Sequence, residues 1–285
     1  MRRRPGGADP GRIATVFLLI VIVVAVIWLA SAGASGNAVS NIITKLFKSN
    51  NTSVPTGTPS DATPGPTQTV SGEKISQTLQ YPPFSVYAVQ LGAFEEQGNA
   101  AYQSQAVKTQ GAAGYMLFDQ GLYRILATVF YEETDARSVK DNLLAQDIDA
   151  CVKPMVIDGL TLNITATPEQ IAAIKAAHDQ WLASAQALAQ IDRGFDSKVI
   201  TRQQVSSNVS DAILGLKKVR EAAHMAAAGS SQVDMVCAEL LKTETELQKL
   251  TDPSLTDTML TANIKHCLID MIYRFGQYAR QISTQ

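Results

Sequence analysis

The sequence predicts a mixed α+β protein: a membrane-spanning helix and a flexible linker, then a small βαββαβ unit, then a bundle of helices. Three observations lead to this prediction. Residues 13–32 form one long apolar run, and the stretch from Phe84 to Phe94 alternates apolar side chains with the period of a strand. After residue 167, apolar residues recur at spacings of three and four, as they do along one side of a helix.

Charge is distributed unevenly along the 285 residues. Residues 1–83 carry seven basic and three acidic side chains, whereas residues 84–155 carry five and nine. The parts expected to fold are therefore not basic. This argues against nucleic acid as a partner, because binding to a polyanion needs a basic surface. The aromatic RNP1 string of RNA-recognition modules is absent as well.

The eighteen-residue apolar run from Ile13 to Ala30, which Ala32 extends, predicts a single transmembrane helix at residues 13–32, because at about 1.5 Å per residue it nearly spans a hydrocarbon core of about 30 Å. Four arginines precede the run, and no basic residue follows it until Lys45. The positive-inside rule then places residues 1–12 in the cytoplasm and the rest of the chain outside. A cleaved signal peptide is the alternative, since Ala30-Ser31-Ala32 resembles a cleavage site, although signal apolar regions usually have only about 7–15 residues.

Residues 33–83 are predicted to be a flexible linker. The section from Ser49 to Gly72 is rich in Ser, Thr, Pro, Gly and Asn, and it almost lacks the large apolar residues needed to form a core. The preceding segment, Asn37 to Lys48, is either a short amphipathic helix at the membrane surface or an extension of the span. This region is predicted to act as a tether that lets the following domains bind at a distance from the membrane.

The sequence of residues 84–155 predicts a βαββαβ unit with six elements. They are a strand from Phe84 to Phe94, a helix from Glu95 to Gln110, strands at Gly114–Phe118 and Tyr123–Val129, a helix from Glu132 to Gln146, and a strand at Ala150–Met155. In a ferredoxin-like arrangement of these elements, the first and third strands lie side by side in the centre of the sheet. Both helices then cover one face, and the other face stays open.

Two polar residues, Gln90 and Arg124, interrupt otherwise apolar strands. If Gln120 and Gly121 form the turn, alternation places both polar residues on the open face, next to each other and flanked by Tyr115 and Leu117. An amide and a guanidinium beside an aromatic ring and an apolar side chain suit a sugar chain, which needs directional hydrogen bonds and an apolar contact. The pattern alone also allows these residues to be no more than the solvated side of a half-exposed sheet.

Three short motifs in this unit resemble the SPOR domain, the sporulation-related module that binds bacterial cell-wall peptidoglycan. They are Val89-Gln90-Leu91-Gly92-Ala93-Phe94, Asn99-Ala100 and Tyr123-Arg124-Ile125. The resemblance covers residues 84–155. It implies a bacterial protein that binds glycan strands stripped of their stem peptides, as found at division septa, during cell division or sporulation. The predicted location is the cytoplasmic membrane, with the C-terminal domains outside and enriched at the septum.

The resemblance also concerns single positions. It implies that the open sheet face is the binding surface, so Gln90 and Arg124 fall where glycan-binding residues are expected, and Ala93 falls where many members carry serine or alanine. One departure is visible: the chain has Thr128-Val129-Phe130 where the family usually has Gly-Pro-Phe. We expect the turn to differ there, which puts part of the glycan affinity in question.

Residues 156–285 predict an extended arm followed by four antiparallel helices. The helices are expected to begin near Thr167, Thr201, Gln232 and Asp252-Pro253, and their apolar stripes predict a bundle core. His178 lies on one of these stripes, which predicts a packed imidazole. The residues resemble no family that we recognise. The alternative function is therefore a scaffold, in which this bundle docks a partner protein or a second copy and the sheet unit only targets it.

The sequence does not predict an enzyme or a cofactor. The three histidines and three cysteines lack metal-ligand spacing, and neither a Ser-His-Asp grouping nor a carboxylate pair stands out. Cys151 lies in an apolar run and is expected to be a small buried residue. Cys237 and Cys267 lie on two predicted helices, and they could form a disulfide in an oxidising compartment if those helices pack together.

Overall fold

The structure, a computed structural model, describes residues 73–227 and 230–283 of the chain. The predicted transmembrane helix at residues 13–32 and most of the predicted linker lie outside these residues. Within them, no helix combines the length and the apolar character that crossing a membrane requires. The described residues contain the predicted sheet unit and the predicted C-terminal helices, so the protein is of the α+β class.

A four-stranded antiparallel sheet forms the centre of the βαββαβ unit. Its strands are β2 (Phe84–Phe94), β3 (Tyr115–Asp119), β4 (Leu122–Phe130) and β5 (Cys151–Ile157), in the order β3-β4-β2-β5. The first and third strands of the unit, β2 and β4, are therefore central, as the ferredoxin-like arrangement requires. Helices α1 (Gln97–Lys108) and α2 (Glu133–Leu144) pack on one face, against side chains that include Val89, Ile125 and Ala127.

A two-residue turn fixes the register between β3 and β4. Gln120 and Gly121 both have positive φ, 52° and 79°, as a type I′ hairpin turn requires. Leu117 then pairs with Arg124, and Tyr115 pairs with Leu126. The predicted turn and register are both confirmed.

A second, two-stranded sheet corrects the predicted extent of the linker. Residues 75–81 form strand β1 (Ile75–Tyr81), which pairs antiparallel with β6 (Leu160–Ala166). Alternate side chains explain why this segment is ordered. Leu79 is buried on one side with Leu162, while on the other side Thr78 donates a hydrogen bond to Asn163 over 2.8 Å.

Four helices follow the second sheet. They are α3 (Pro168–Asp196), α4 (Arg202–Ala227), α5 (Ser231–Lys249) and α6 (Asp257–Ser283). Helix α3 begins with the predicted capping box, in which Thr167 and Gln170 bond each other's backbone. The predicted start of the fourth helix at Asp252-Pro253 is wrong: Asp252 accepts a hydrogen bond from the Ser254 backbone in a turn, and Thr256 caps α6 through the Met259 N–H.

Helix α6 lies between the other helices and the sheet. The Phe275 ring packs edge-on against Trp181 of α3 at 5.4 Å between centroids, and it lies 6.3 Å from Phe84 of β2. Gly276 lets α6 pack closely against β5. A side chain at this position would be crowded, because its Cβ would lie only 3.3 Å from Ile157 Cγ2. One apolar core therefore runs from the sheet through α6 into the bundle, without a break after residue 155.

The histidine and cysteine predictions have different outcomes. His178 is packed as predicted: its Nδ1 lies 2.8 Å from the Ile174 carbonyl and its Nε2 lies 2.8 Å from the Tyr278 hydroxyl. Cys151, the first residue of β5, is exposed rather than buried, and it pairs with Gln90 of β2. Cys237 and Cys267 are not bonded to each other, and each thiol approaches a backbone carbonyl instead.

A buried network of hydrogen bonds and ion pairs joins β4 to helices α3 and α6 at Thr128, where the sequence departs from the usual SPOR-domain pattern. The pairing of β2 and β4 shifts register beside Thr128, and β4 continues to Phe130. Thr128 Oγ1 donates to Asp192 Oδ2 of α3 over 3.4 Å, and Lys265 Nζ of α6 lies 3.4 Å from Asp192 Oδ1 and 2.6 Å from Asp196 Oδ2. Burial outweighs the Lys265 charge and raises the pKa of Asp192 to about 6.

We predict that Phe275→Ala destabilises the sheet and the bundle together. Phe275 is fully buried, and truncation of such a ring typically costs about 3–5 kcal/mol. Urea unfolding should show one transition, shifted by the same amount whether sheet or helix signals are followed. Gln277→Ala, at an exposed position of the same helix, is the control. A variant in which only the helical signal shifts would contradict a shared core.

We predict that Asp192→Asn changes the pH dependence of stability. The folded pKa of about 6 exceeds the ordinary value of 3.8, so the ionised carboxylate destabilises the folded state as pH rises from about 4 to about 6. The free energy of unfolding of Asp192→Asn, relative to the unmodified protein, should therefore rise by about 2–3 kcal/mol from pH 4 to pH 7.5. Asp211→Asn, at an exposed position of α4, is the control, and its pH curve should stay parallel to that of the unmodified protein. Parallel pH curves for Asp192→Asn and the unmodified protein would refute this assignment.

Candidate functional site

Helix α6 divides the sheet face opposite α1 and α2 into a covered and an uncovered half. On the covered half, the Tyr115 ring lies 5.0 Å from the His266 ring and 6.4 Å from the Tyr273 ring. Its hydroxyl lies 3.4 Å from Asp270 Oδ1. Burial raises the pKa of Tyr115, with Asp270 adding to the effect, so this phenol stays protonated.

The prediction that this whole face is open is therefore wrong. Tyr115 and Leu117, predicted to contact sugar, are engaged in packing: Tyr115 contacts α6, and Leu117 belongs to the apolar core that includes α6. The physical reason is that α6 is apolar around most of its circumference. Buried residues outside its predicted stripe include those at positions 268, 269, 272 and 275, and a helix of this kind is buried on several sides.

Four polar side chains occupy the uncovered half, and we call them the polar cluster: Gln90, Asp119, Arg124 and Lys153. Arg124 Nη1 donates to Gln90 Oε1 over 3.3 Å, and Arg124 Nε donates to Asp119 Oδ2 over 3.1 Å. Lys153 Nζ lies 2.9 Å from the same Asp119 oxygen. The structure thus brings together Gln90 and Arg124, as alternation along the strands predicts.

Strand pairing explains how residues distant in sequence meet here. Gln90 of β2 is paired with Leu126 of β4 on one side and Cys151 of β5 on the other. Ala93, the remaining predicted site residue, is exposed near the end of β2 and is paired with Arg124. Ala93 therefore lies opposite Arg124 at an exposed position beside the polar cluster.

Exposure and charge show what the polar cluster can contact. The side chains of Arg124, Lys153 and Asp119 are 15%, 24% and 32% exposed, while Gln90 is 9% exposed and forms the base of the cluster. A hydrogen bond from Lys153, together with the charges of Lys153 and Arg124, keeps the pKa of Asp119 below its usual value. Asp119 is therefore ionised at neutral pH, and the cluster carries one net positive charge.

Asp119 and Lys153 were not among the residues predicted from the sequence. The signal for Lys153 was present, because it interrupts the apolar run Cys-Val-Lys-Pro-Met-Val-Ile as Gln90 and Arg124 interrupt theirs. Asp119 lies next to the β3–β4 turn, where an acidic residue is common and carries no specific meaning. Its role becomes visible only once its two cationic partners are placed.

The helical part exposes some apolar surface of its own. Leu214 of α4 and Leu241 of α5 are both at least half exposed. A groove of about 600 Å³ beside Leu241 is lined by residues that include Ile213, Thr245 and Gln248. The docking of a protein partner by the bundle stays a prediction.

One segment of the chain is similar to a known protein family. The family model described as the SPOR domain matches residues 83–154, which correspond to strands β2 to β5 with helices α1 and α2. No curated protein and no solved structure matches the chain. The matched segment contains the whole polar cluster, and its strand order agrees with the fold that the resemblance implies. Residues 83–154 of this chain are therefore a SPOR domain.

Proposed function

We propose that this protein binds the glycan strands of bacterial peptidoglycan through its SPOR domain, without catalysing a reaction on them. The match of residues 83–154 to the SPOR domain suggests a binding role, with peptidoglycan as the ligand and an association with cell division. One observation supports the proposal most directly. The hydrogen-bonded pair Gln90 and Arg124 lies on the half of the sheet face that α6 leaves uncovered.

The chemistry of the polar cluster fits a sugar ligand. Arg124 and Lys153 are partly accessible donors, and Gln90 offers an amide that bonds well to hydroxyl and acetamide groups. The bonds from Arg124 to Gln90 and Asp119 hold the guanidinium in one orientation before any ligand arrives, which reduces the entropy lost on binding. The half of the sheet face that α6 covers packs against this helix and is not proposed to contact the sugar.

The proposed setting follows from the sequence before residue 73. A single membrane span at residues 13–32, with its arginines on the cytoplasmic side, would place the SPOR domain outside the membrane, where peptidoglycan is found. The Ser-, Thr- and Pro-rich linker would let it reach the wall. We propose enrichment at the septum of dividing or sporulating cells, where glycan strands without stem peptides occur.

We predict that Gln90→Ala and Arg124→Ala each weaken binding of the full chain, in detergent, to purified sacculi by roughly tenfold. This is the loss expected for a hydrogen bond that involves a charged group. Co-sedimentation at increasing sacculus concentration measures the affinity. Arg137→Ala is the matched control, because Arg137 lies on α2 and is paired with Glu133 on the opposite side of the sheet. Unchanged sedimentation of both variants, with their thermal unfolding unaltered, would exclude this surface.

A further inference from the structure

The polar cluster has more hydrogen-bond donors than acceptors. From this imbalance we infer that the SPOR domain recognises a free carboxylate on the glycan strand, and that Lys153 is one of the residues that bind it. The inference rests on the proposed function, and it adds the chemical group on the strand that the site selects.

The charges of the polar cluster are not balanced. Arg124 and Lys153 both contact one oxygen of Asp119, Oδ2, and Asp119 is the only acidic residue for which the described residues show an ion pair with either cation. Two positive charges therefore share one negative charge on a partly exposed surface. An anionic ligand would restore neutrality, and the electrostatic attraction would not require a change in the fold.

The hydrogen bonds lead to the same conclusion. The Gln90 carbonyl oxygen is occupied by Arg124, which leaves its NH₂ group as the free end of the amide. In the described part of the chain, neither this NH₂ group nor Arg124 Nη2 has a hydrogen-bond partner, and Lys153 contacts only Asp119. A sugar hydroxyl both donates and accepts, whereas a carboxylate only accepts. A group of donors around a planar guanidinium thus fits a carboxylate better than a neutral sugar.

Peptidoglycan contains such a group on only some of its strands. Each muramic acid residue carries a lactyl group whose carboxyl is joined by an amide bond to the stem peptide. Removal of the peptide leaves a free carboxylate on the sugar, with a negative charge at neutral pH. A site that requires this carboxylate would therefore bind stripped strands in preference to strands that still carry peptides.

Chemical conversion of the carboxylate tests the inference. Glycan strands freed of stem peptides are labelled at one end, and half are treated with carbodiimide and ammonia to convert each lactyl carboxylate to an uncharged amide of similar shape. We expect the full chain, in detergent, to bind the amidated strands about tenfold more weakly by fluorescence anisotropy. We also expect added salt to weaken only the binding of the carboxylate strands. Equal affinity for both strands would overturn the inference and leave the proposed function standing, whereas binding to neither strand would overturn both.

Two substitutions with opposite expected effects test the residues. Lys153→Gln should weaken binding of carboxylate strands by roughly fivefold and weaken binding of amidated strands less, because an amidated strand offers no negative charge to Lys153. Asp119→Asn should strengthen binding of carboxylate strands by roughly threefold, because it removes the acidic group that competes with the ligand for both cations. A purely structural role for Asp119 would not produce tighter binding.

Lys140→Gln is the matched control for Lys153→Gln. Lys140 lies on α2 and, like Lys153, forms a salt bridge with an aspartate, and its side chain is 25% exposed compared with 24% for Lys153. The control should bind both strands as the unmodified protein does. Unchanged affinity of Lys153→Gln for carboxylate strands, or weaker binding by a folded Asp119→Asn, would refute the assignment of these residues. The comparison of the two strands decides the inference even if one variant fails to fold.

Discussion

The packing of α6 between the bundle and the sheet is the contact on which the rest of the structure depends. A four-stranded sheet with both helices on one face leaves a second face that must either meet water or be covered. Here α6 covers half of that face through Tyr115, Phe84 and Ile157, and it packs on its other side against Trp181. Because one helix belongs to both cores, the SPOR domain and the helical domain share one apolar interior.

This shared interior also shapes the candidate site. The apolar residues of the sheet face are used for packing, and what stays accessible is the polar end of the face, with Arg124 and Lys153 around Asp119. Ligand binding would therefore depend more on hydrogen bonds and charge than on stacking against an aromatic ring. The cost of holding two cations close together is reduced by Asp119, and a ligand carboxylate would reduce it further.

Local sequence rules predicted the sheet unit well. The Gln120-Gly121 turn has strict φ requirements, and it was enough to predict the register between β3 and β4. The contact between Gln90 and Arg124, which are 34 positions apart, needed two further inputs: alternation along β2 and β4, and the ferredoxin-like strand order that places these strands side by side.

The features that were missed depend on contacts between distant parts of the chain. Helix α6 begins more than 130 residues after the start of β3, and it contacts the sheet through a second apolar side. A pattern that follows one apolar side of a helix does not show which surface the other side contacts. Strand β1 was assigned to the linker because its apolar residues are few and its partner, β6, lies about 80 residues later. Cys151 was misplaced because an apolar run in the sequence does not show which of its side chains the rest of the fold covers.

The central claim is that glycan binds to the half of the sheet face that α6 leaves free. NMR titration of the full chain in detergent with peptide-free glycan strands tests this claim most directly, because it reports on each half of the face separately. The account predicts shifts of the Gln90 side-chain amide, the Arg124 Nε–H and the backbone near Ala93, with Tyr115 and Phe84 unaffected. Shifts centred on Tyr115 and the α6 residues His266 and Tyr273, with Gln90 and Arg124 unchanged, would contradict it.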